Sequence, residues 1–104
     1  MTEDRGERRA EAAEQPVVRV LSIVNKKGLH ARASAKFCQT VERFDAQVRV
    51  TRGNETVGGT SIMGLMMLGA APGTKITVEA TGQDADAAIA ALDELVSSGF
   101  GEED

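Results

Sequence analysis

The sequence predicts an α+β domain built as an open-faced β-sandwich, a four-stranded antiparallel sheet covered on one face by three helices. Three observations predict it. Four short stretches are β-branched or alternate apolar with polar residues, the pattern of strands. Three others repeat their apolar residues every three or four positions or lie between helix start and stop signals. Their order, β-α-β-β-α-β-α, separates helices by antiparallel pairings and leaves few enough strands for one helical layer to cover.

Each element has its own signal. Residues 1–16 mix five acids and three arginines with Ala and Gln and end at Pro16, the composition of a solvated charged extension. A short frayed helix over Arg8–Glu14 is compatible with that reading. Val17–Val24 is the first strand, with Leu21 and Ile23 facing inward, and Gly28 supplies the turn that follows. Ala31–Phe44 reads as an amphipathic helix with Ser34, Phe37, Cys38 and Val41 on one face. Ala46, Val48 and Val50 then alternate with polar residues, Arg52-Gly53-Asn54 reverses the chain, and Glu55–Gly58 returns antiparallel. Thr60-Ser61 caps a brief Met-rich helix, Ile62–Leu68, closed by Gly69. After a Pro72-Gly73 turn, Ile76, Val78 and Ala80 alternate through the last strand. Asp84 caps a final helix whose Ala85, Ala88, Ile89, Leu92, Leu95 and Val96 form the core stripe, and Gly99 stops it. The domain runs over residues 17–99, and 100–104 read as an acidic C-terminal tail.

Composition narrows the function. The chain has 104 residues and a net charge of −4, with three Phe and neither Tyr nor Trp. No Lys/Arg run is interleaved with aromatics, which argues against nucleic acid as a partner. Cys38 is the only cysteine, so an intramolecular disulfide or a cysteine-based zinc site is impossible, and its place on an apolar helix face reads as packing. One histidine and no carboxylate cluster leave little basis for a metal, and no cofactor is expected. The first residues have no apolar core for a signal peptide, and no stretch is long enough to span a bilayer. A cytoplasmic protein is expected.

The chemistry concentrates at Lys27-Gly28-Leu29-His30-Ala31-Arg32. A strand that stops at Gly and His and restarts as a helix leaves the first helical amides unpaired. With the positive end of the helix dipole they form an anion site. A phosphoryl group on His30 would lie there, with the Arg32 guanidinium beside it. An imidazole titrates near neutrality in water and so offers a neutral nitrogen as nucleophile at cytoplasmic pH. The arrangement suggests a phosphohistidine.

Two motifs carry a resemblance. Gly28-Leu29-His30-Ala31-Arg32 opens one helix, and Thr60-Ser61-Ile62-Met63-Gly64-Leu65-Met66-Met67-Leu68-Gly69 forms another. Together with their spacing and the element order, they resemble HPr, the histidine-containing phosphocarrier family of the bacterial phosphoenolpyruvate-dependent phosphotransferase system, over about residues 17–98. The resemblance implies that His30 is phosphorylated on Nδ1, from phosphoenolpyruvate via enzyme I, and that Arg32 steadies the phosphoryl group. It implies onward transfer to A-type enzyme II subunits for sugar uptake, or within a nitrogen-type regulatory branch. Ser61 matches the serine that an HPr kinase/phosphorylase modifies in some members. Lys27, Ile62, Met63, Leu65, Met66 and Met67 match the surface on which partners dock, and a monomer is expected. Two positions depart from the family pattern: Ala33 stands where Pro usually follows the Arg, and Lys27 where a small polar residue is frequent. Neither removes a reacting group. Pro would pre-set the first helical turn, whereas Ala keeps the helix with a less rigid start.

Two other classes compete. A small phosphate-handling hydrolase on a similar sandwich would need an arginine cradle and a water-positioning amide, and Asn25 and Asn54 fall in separate turns. A regulatory module modified only at Ser61 would leave His30 idle, against the pairing of His30 with Arg32.

Overall fold

The computed structural model describes residues 15–102. The extension assigned to residues 1–16, with its frayed helix, lies almost wholly outside them, as do the last two residues of the tail. Strands β1 (Val17–Ser22), β2 (Gln47–Arg52), β3 (Glu55–Gly58) and β4 (Lys75–Thr81) alternate with helices α1 (Ala31–Glu42), α2 (Ile62–Met67) and α3 (Ala85–Ser97) in the expected order. The sheet is antiparallel with strand order β1-β4-β2-β3.

Register places the inward residues side by side. Leu21 pairs with Ile76, Val48 with Ala80, and Val50 with both Val78 and Val57. From the helical layer Phe37, Val41, Leu65, Ile89, Leu92 and Val96 meet them, all buried. The opposite sheet face is open to solvent, with Val18 and Val20 more than half exposed on β1. Cys38 is buried on α1, and desolvation pushes its thiol above the usual cysteine range.

The differences from expectation have local causes. β1 stops at Ser22 as regular strand, yet Ile23 continues to pair irregularly: its amide donates to Thr74 O at 2.9 Å, and its carbonyl accepts from Gly73 N at 2.9 Å. α1 ends at Glu42 because the Arg43 and Phe44 amides fold back on Thr40 O and Val41 O. Asp84 sits at the start of α3 without capping it through its side chain; its carboxylate accepts from Asp45 N at 2.8 Å and ties the α1–β2 turn to α3. Leu65, expected on the docking surface, is 0% exposed and belongs to the core. A six-residue helix has one inward face, and α1 fixes which residue occupies it. Packing also continues past residue 99. Phe100 is 1% exposed, and the turn Gly99–Gly101 folds it under the sandwich.

Candidate functional site

The loop from β1 to α1 is held by glycine geometry. Gly28 has φ +64°, and a Cβ there would lie 2.2 Å from Ala70 O, so backbone conformation and close approach both demand glycine. The approach lets Leu29 N donate to Ala70 O at 3.0 Å, while the Leu29 side chain is buried. His30, the next residue, therefore points outward.

His30 is the N-cap of α1, in extended conformation, and its Nδ1 accepts from Arg32 N at 3.3 Å. The helical ladder begins with Ser34 N donating to His30 O at 2.8 Å, so the amides before it lie at an open helix mouth. The Ser34 hydroxyl donates to Leu29 O at 3.2 Å, which satisfies a buried polar group under the loop. Nε2 of His30 meets Glu102 Oε2 at 2.5 Å. Because Nδ1 takes an N–H, it carries a lone pair; in the neutral ring the proton sits on Nε2 and is donated to the carboxylate.

Glu102 is itself held. Its Oε1 accepts from Asn25 Nδ2 at 3.2 Å, and the same Nδ2 donates to Gly28 O at 2.8 Å. The hydrogen bond from His30 and that from Asn25 hold the Glu102 carboxyl below the usual glutamate range, with His30 and Lys36 adding charge attraction. Lys36 Nζ donates to Phe100 O at 2.7 Å and ties α1 to the C-terminal turn. An open cleft of about 660 Å³ is lined by Lys27, His30, Ala31, Arg32, Lys36, Gly101 and Glu102. Three cations thus line the cleft with a half-buried imidazole whose Nδ1 is turned to the Arg32 amide at the helix mouth. No group of three or more His, Cys, Asp or Glu able to hold a metal occurs among the described residues.

The structure brings His30, Arg32 and Lys27 together and keeps Ser61 apart on α2. Ser61 is exposed and caps α2, its Oγ accepting from Gly64 N at 3.0 Å. Ile62, Met63, Met66 and Met67 are exposed, Met63 and Met67 at 69% and 72%, whereas Leu65 is not available. α2 packs on α1, so this apolar surface and the His30 cleft share one helical layer. The amide that a hydrolase would need is not free at Asn25, whose Nδ2 is committed to Gly28 and Glu102. Asn25, Lys36 and Glu102 were not singled out for the His30 site from the sequence. The available signal was Phe100, an aromatic flanked by glycines in a polar terminus, which marks an anchored segment.

Comparisons with known proteins give the family. A family model described as the PTS HPr component phosphorylation site matches residues 17–98. The chain is 52% identical over 82 residues to phosphocarrier protein HPr of Neisseria meningitidis serogroup A, covering 79% of this chain and 92% of that protein. It is 42% identical over 84 residues to phosphocarrier protein NPr of Shewanella violacea, covering 81% and 92%. Among solved structures, an HPr-C-His from Thermoanaerobacter tengcongensis superposes with a TM-score of 0.80 at 44% identity, over 84% of this chain and 98% of the other. The family model and the relatives span the whole domain that carries the cleft at the head of α1, and the chain belongs to the HPr family of phosphocarrier proteins of the phosphotransferase system.

Proposed function

We propose that His30 accepts a phosphoryl group on Nδ1 from an enzyme I donor charged by phosphoenolpyruvate, and passes it to A-type enzyme II subunits or to acceptors of a nitrogen-type regulatory branch. One observation carries the reading: a partly exposed imidazole at a helix mouth, its Nδ1 lone pair turned to the first amides and cations around it. In the transfer, Nδ1 gives up its contact with Arg32 N, its lone pair attacks phosphorus, and the freed Arg32 N–H can donate to a phosphoryl oxygen. The donor's bond to phosphorus breaks and keeps its electron pair, while Nε2 retains its proton. Amides and the Arg32 guanidinium offer donors to the equatorial oxygens of the loose transition state. Glu102, the carboxylate lining the cleft, is engaged by His30 and Asn25, so it is not set to activate water, which favours transfer to a protein over hydrolysis.

The exposed Ile62, Met63, Met66 and Met67, with Lys27 at the cleft, support a docking role in which polarizable methionines adapt to successive partners. A monomer presenting one surface to donor and acceptor in turn fits this role. Ser61 supports a second, regulatory reading: its hydroxyl is exposed beside that patch. A kinase/phosphorylase could place there a dianion that repels partners while remaining compatible with the N-terminus of α2. On this reading the reaction belongs to the cytoplasm; no helix among the described residues is long and apolar enough to cross a membrane.

The test is intact mass after incubation with phosphoenolpyruvate, Mg²⁺ and enzyme I from the same cell, on wild type and His30→Ala. The expected result is one phosphate adduct, lost in acid and absent from the variant. No adduct from a competent donor overturns the His30 reading and turns attention to Ser61.

A further inference from the structure

The last described residue reaches the reacting ring, and the chain is shaped to bring it there. Gly99, Phe100 and Gly101 all have positive φ, at +67°, +60° and +70°. The value at Phe100 is uncommon for a residue with a side chain. It is held because the Phe100 ring is buried in the core and its carbonyl accepts from Lys36 Nζ. The turn directs Glu102 back over α1, where one carboxylate oxygen meets His30 Nε2 at 2.5 Å and the other meets Asn25 Nδ2 at 3.2 Å. Asn25 is 2% exposed, and its amide orientation is set by Gly28 O, a carbonyl of the loop that carries His30.

From this geometry we infer that Glu102 is a positioning residue for His30: its carboxylate, anchored by Asn25, keeps the ring proton on Nε2 and leaves the Nδ1 lone pair to attack phosphorus. The inference rests on the phosphocarrier reading above. Before transfer the carboxylate accepts Nε2–H and fixes both tautomer and ring orientation, as carboxylates do for other reactive histidines. As the Nδ1–P bond forms and the donor's bond to phosphorus breaks, the ring keeps Nε2–H and gains positive charge. Glu102 faces that charge. The carboxylate takes no proton and leaves Nδ1 open, so the same contact serves the return transfer.

Glu102→Gln and Glu102→Ala distinguish this role from simple packing. Asn25 must donate to residue 102, because its Nδ2 is already aligned by Gly28 O. In Glu102→Gln the side-chain carbonyl oxygen will therefore turn to Asn25 and the NH₂ to His30, so that Nε2 must accept and the ring proton move to Nδ1, breaking the 3.3 Å contact from Arg32 N. Alanine only removes the partner. The isosteric variant is thus expected to be the more damaged of the two, the reverse of what a packing role predicts. The first readout is the imidazole ¹⁵N spectrum of the unphosphorylated protein. It should show the Nε2–H tautomer in wild type and a marked rise of Nδ1–H in Glu102→Gln, with amide spectra confirming that both variants fold. The second is the rate of adduct formation with enzyme I, expected to fall roughly 10–100-fold in Glu102→Gln on the scale of lost carboxylate partners, and less in Glu102→Ala. A wild-type tautomer and rate in Glu102→Gln, or a larger loss in Glu102→Ala, overturns the inference. If wild-type His30 accepts no phosphate at all, the phosphocarrier reading fails, while the ¹⁵N spectra still decide whether Glu102 sets the tautomer.

Discussion

At the start of α1 the His30 ring accepts the Arg32 amide; at the start of α2 the Ser61 hydroxyl accepts the Gly64 amide. Both side chains cap a helix, and both lie at helix mouths where the dipole favours an anion. Their surroundings differ. His30 borders a cleft with Lys27, Arg32 and Lys36, and its far nitrogen is held by a carboxylate anchored elsewhere in the fold. Ser61 opens a helix of six residues with no acid in its first turn and exposed methionines on its surface. The cap supplies amides in both places. What suits the first to the phosphoryl-accepting role proposed for it is a lone pair already pointed at those amides, cations to hold the product, and a loop held in place. The other has an ordinary alcohol, which needs an external kinase to become a nucleophile.

The sharpest way to break the first site is to move its loop. Gly28→Ala adds a Cβ at 2.2 Å from Ala70 O to a residue at φ +64°. The left-handed backbone alone costs about 1–2 kcal/mol, and displacing Ala70 removes the Leu29–Ala70 hydrogen bond, worth about 1 kcal/mol. The expected loss of roughly 2–3 kcal/mol lowers Tm by roughly 10–20 °C in a domain of this size, read by calorimetry. Adduct formation at His30 should fall with it at temperatures where the variant is folded, because the ring is carried by the displaced loop. A Tm within a few degrees of wild type would mean that the loop tolerates movement and that His30 is not rigidly presented.

A smaller effect separates the two caps. Ser61→Ala removes the hydroxyl that accepts from Gly64 N, a cap worth about 1 kcal/mol, or roughly 5 °C in Tm. It should leave the His30 adduct at wild-type level, since Ser61 does not line the His30 cleft. Loss of the adduct in this variant would show that the two helix mouths act as one site.

The sequence made some of this readable and hid the rest for definite reasons. Strand alternation at Val48 and Val50 and at Ile76, Val78 and Ala80, and the α3 stripe from Ala85 to Val96, are local periodicities that burial follows closely. Leu95 is the exception, only partly buried at the edge of the stripe. The place of His30 and Arg32 at a helix mouth was legible because turn, cap and helix lie within a few consecutive residues. Leu65 was misplaced because every neighbour in α2 except Gly64 is apolar; too few turns exist to show a phase, and contact with α1 decides it. Asp84 follows a cap pattern, yet its carboxylate meets Asp45 N, 39 residues away, which no local signal encodes. Glu102 and His30 are separated by 72 residues, and charge composition alone assigns Glu102 to a solvated tail. Only the packing of Phe100 brings it back.

The smallest expected effect concerns that returning segment and its dependence on acid. His30 first, and then Asn25, stabilise the ionised Glu102 carboxylate, so its folded-state pKa lies below the ordinary glutamate value. A depressed carboxylate contributes attachment that is fully present above its unfolded pKa and lost as pH falls through the lower folded value. The Gly99–Gly101 turn should therefore stay docked through the neutral and mildly acidic range and loosen only below the usual glutamate range. Amide ¹H–¹⁵N shifts of Phe100 and Gly101 followed down in pH should show that low midpoint, with little change in Tm above it, because Phe100 and Lys36 hold the turn independently of Glu102. Ser61 provides the internal contrast: its cap is uncharged, and the Gly64 amide should not titrate with it. A midpoint at or above the ordinary glutamate value would mean that the carboxylate is not held by His30. The two helix mouths would then differ in their cations alone.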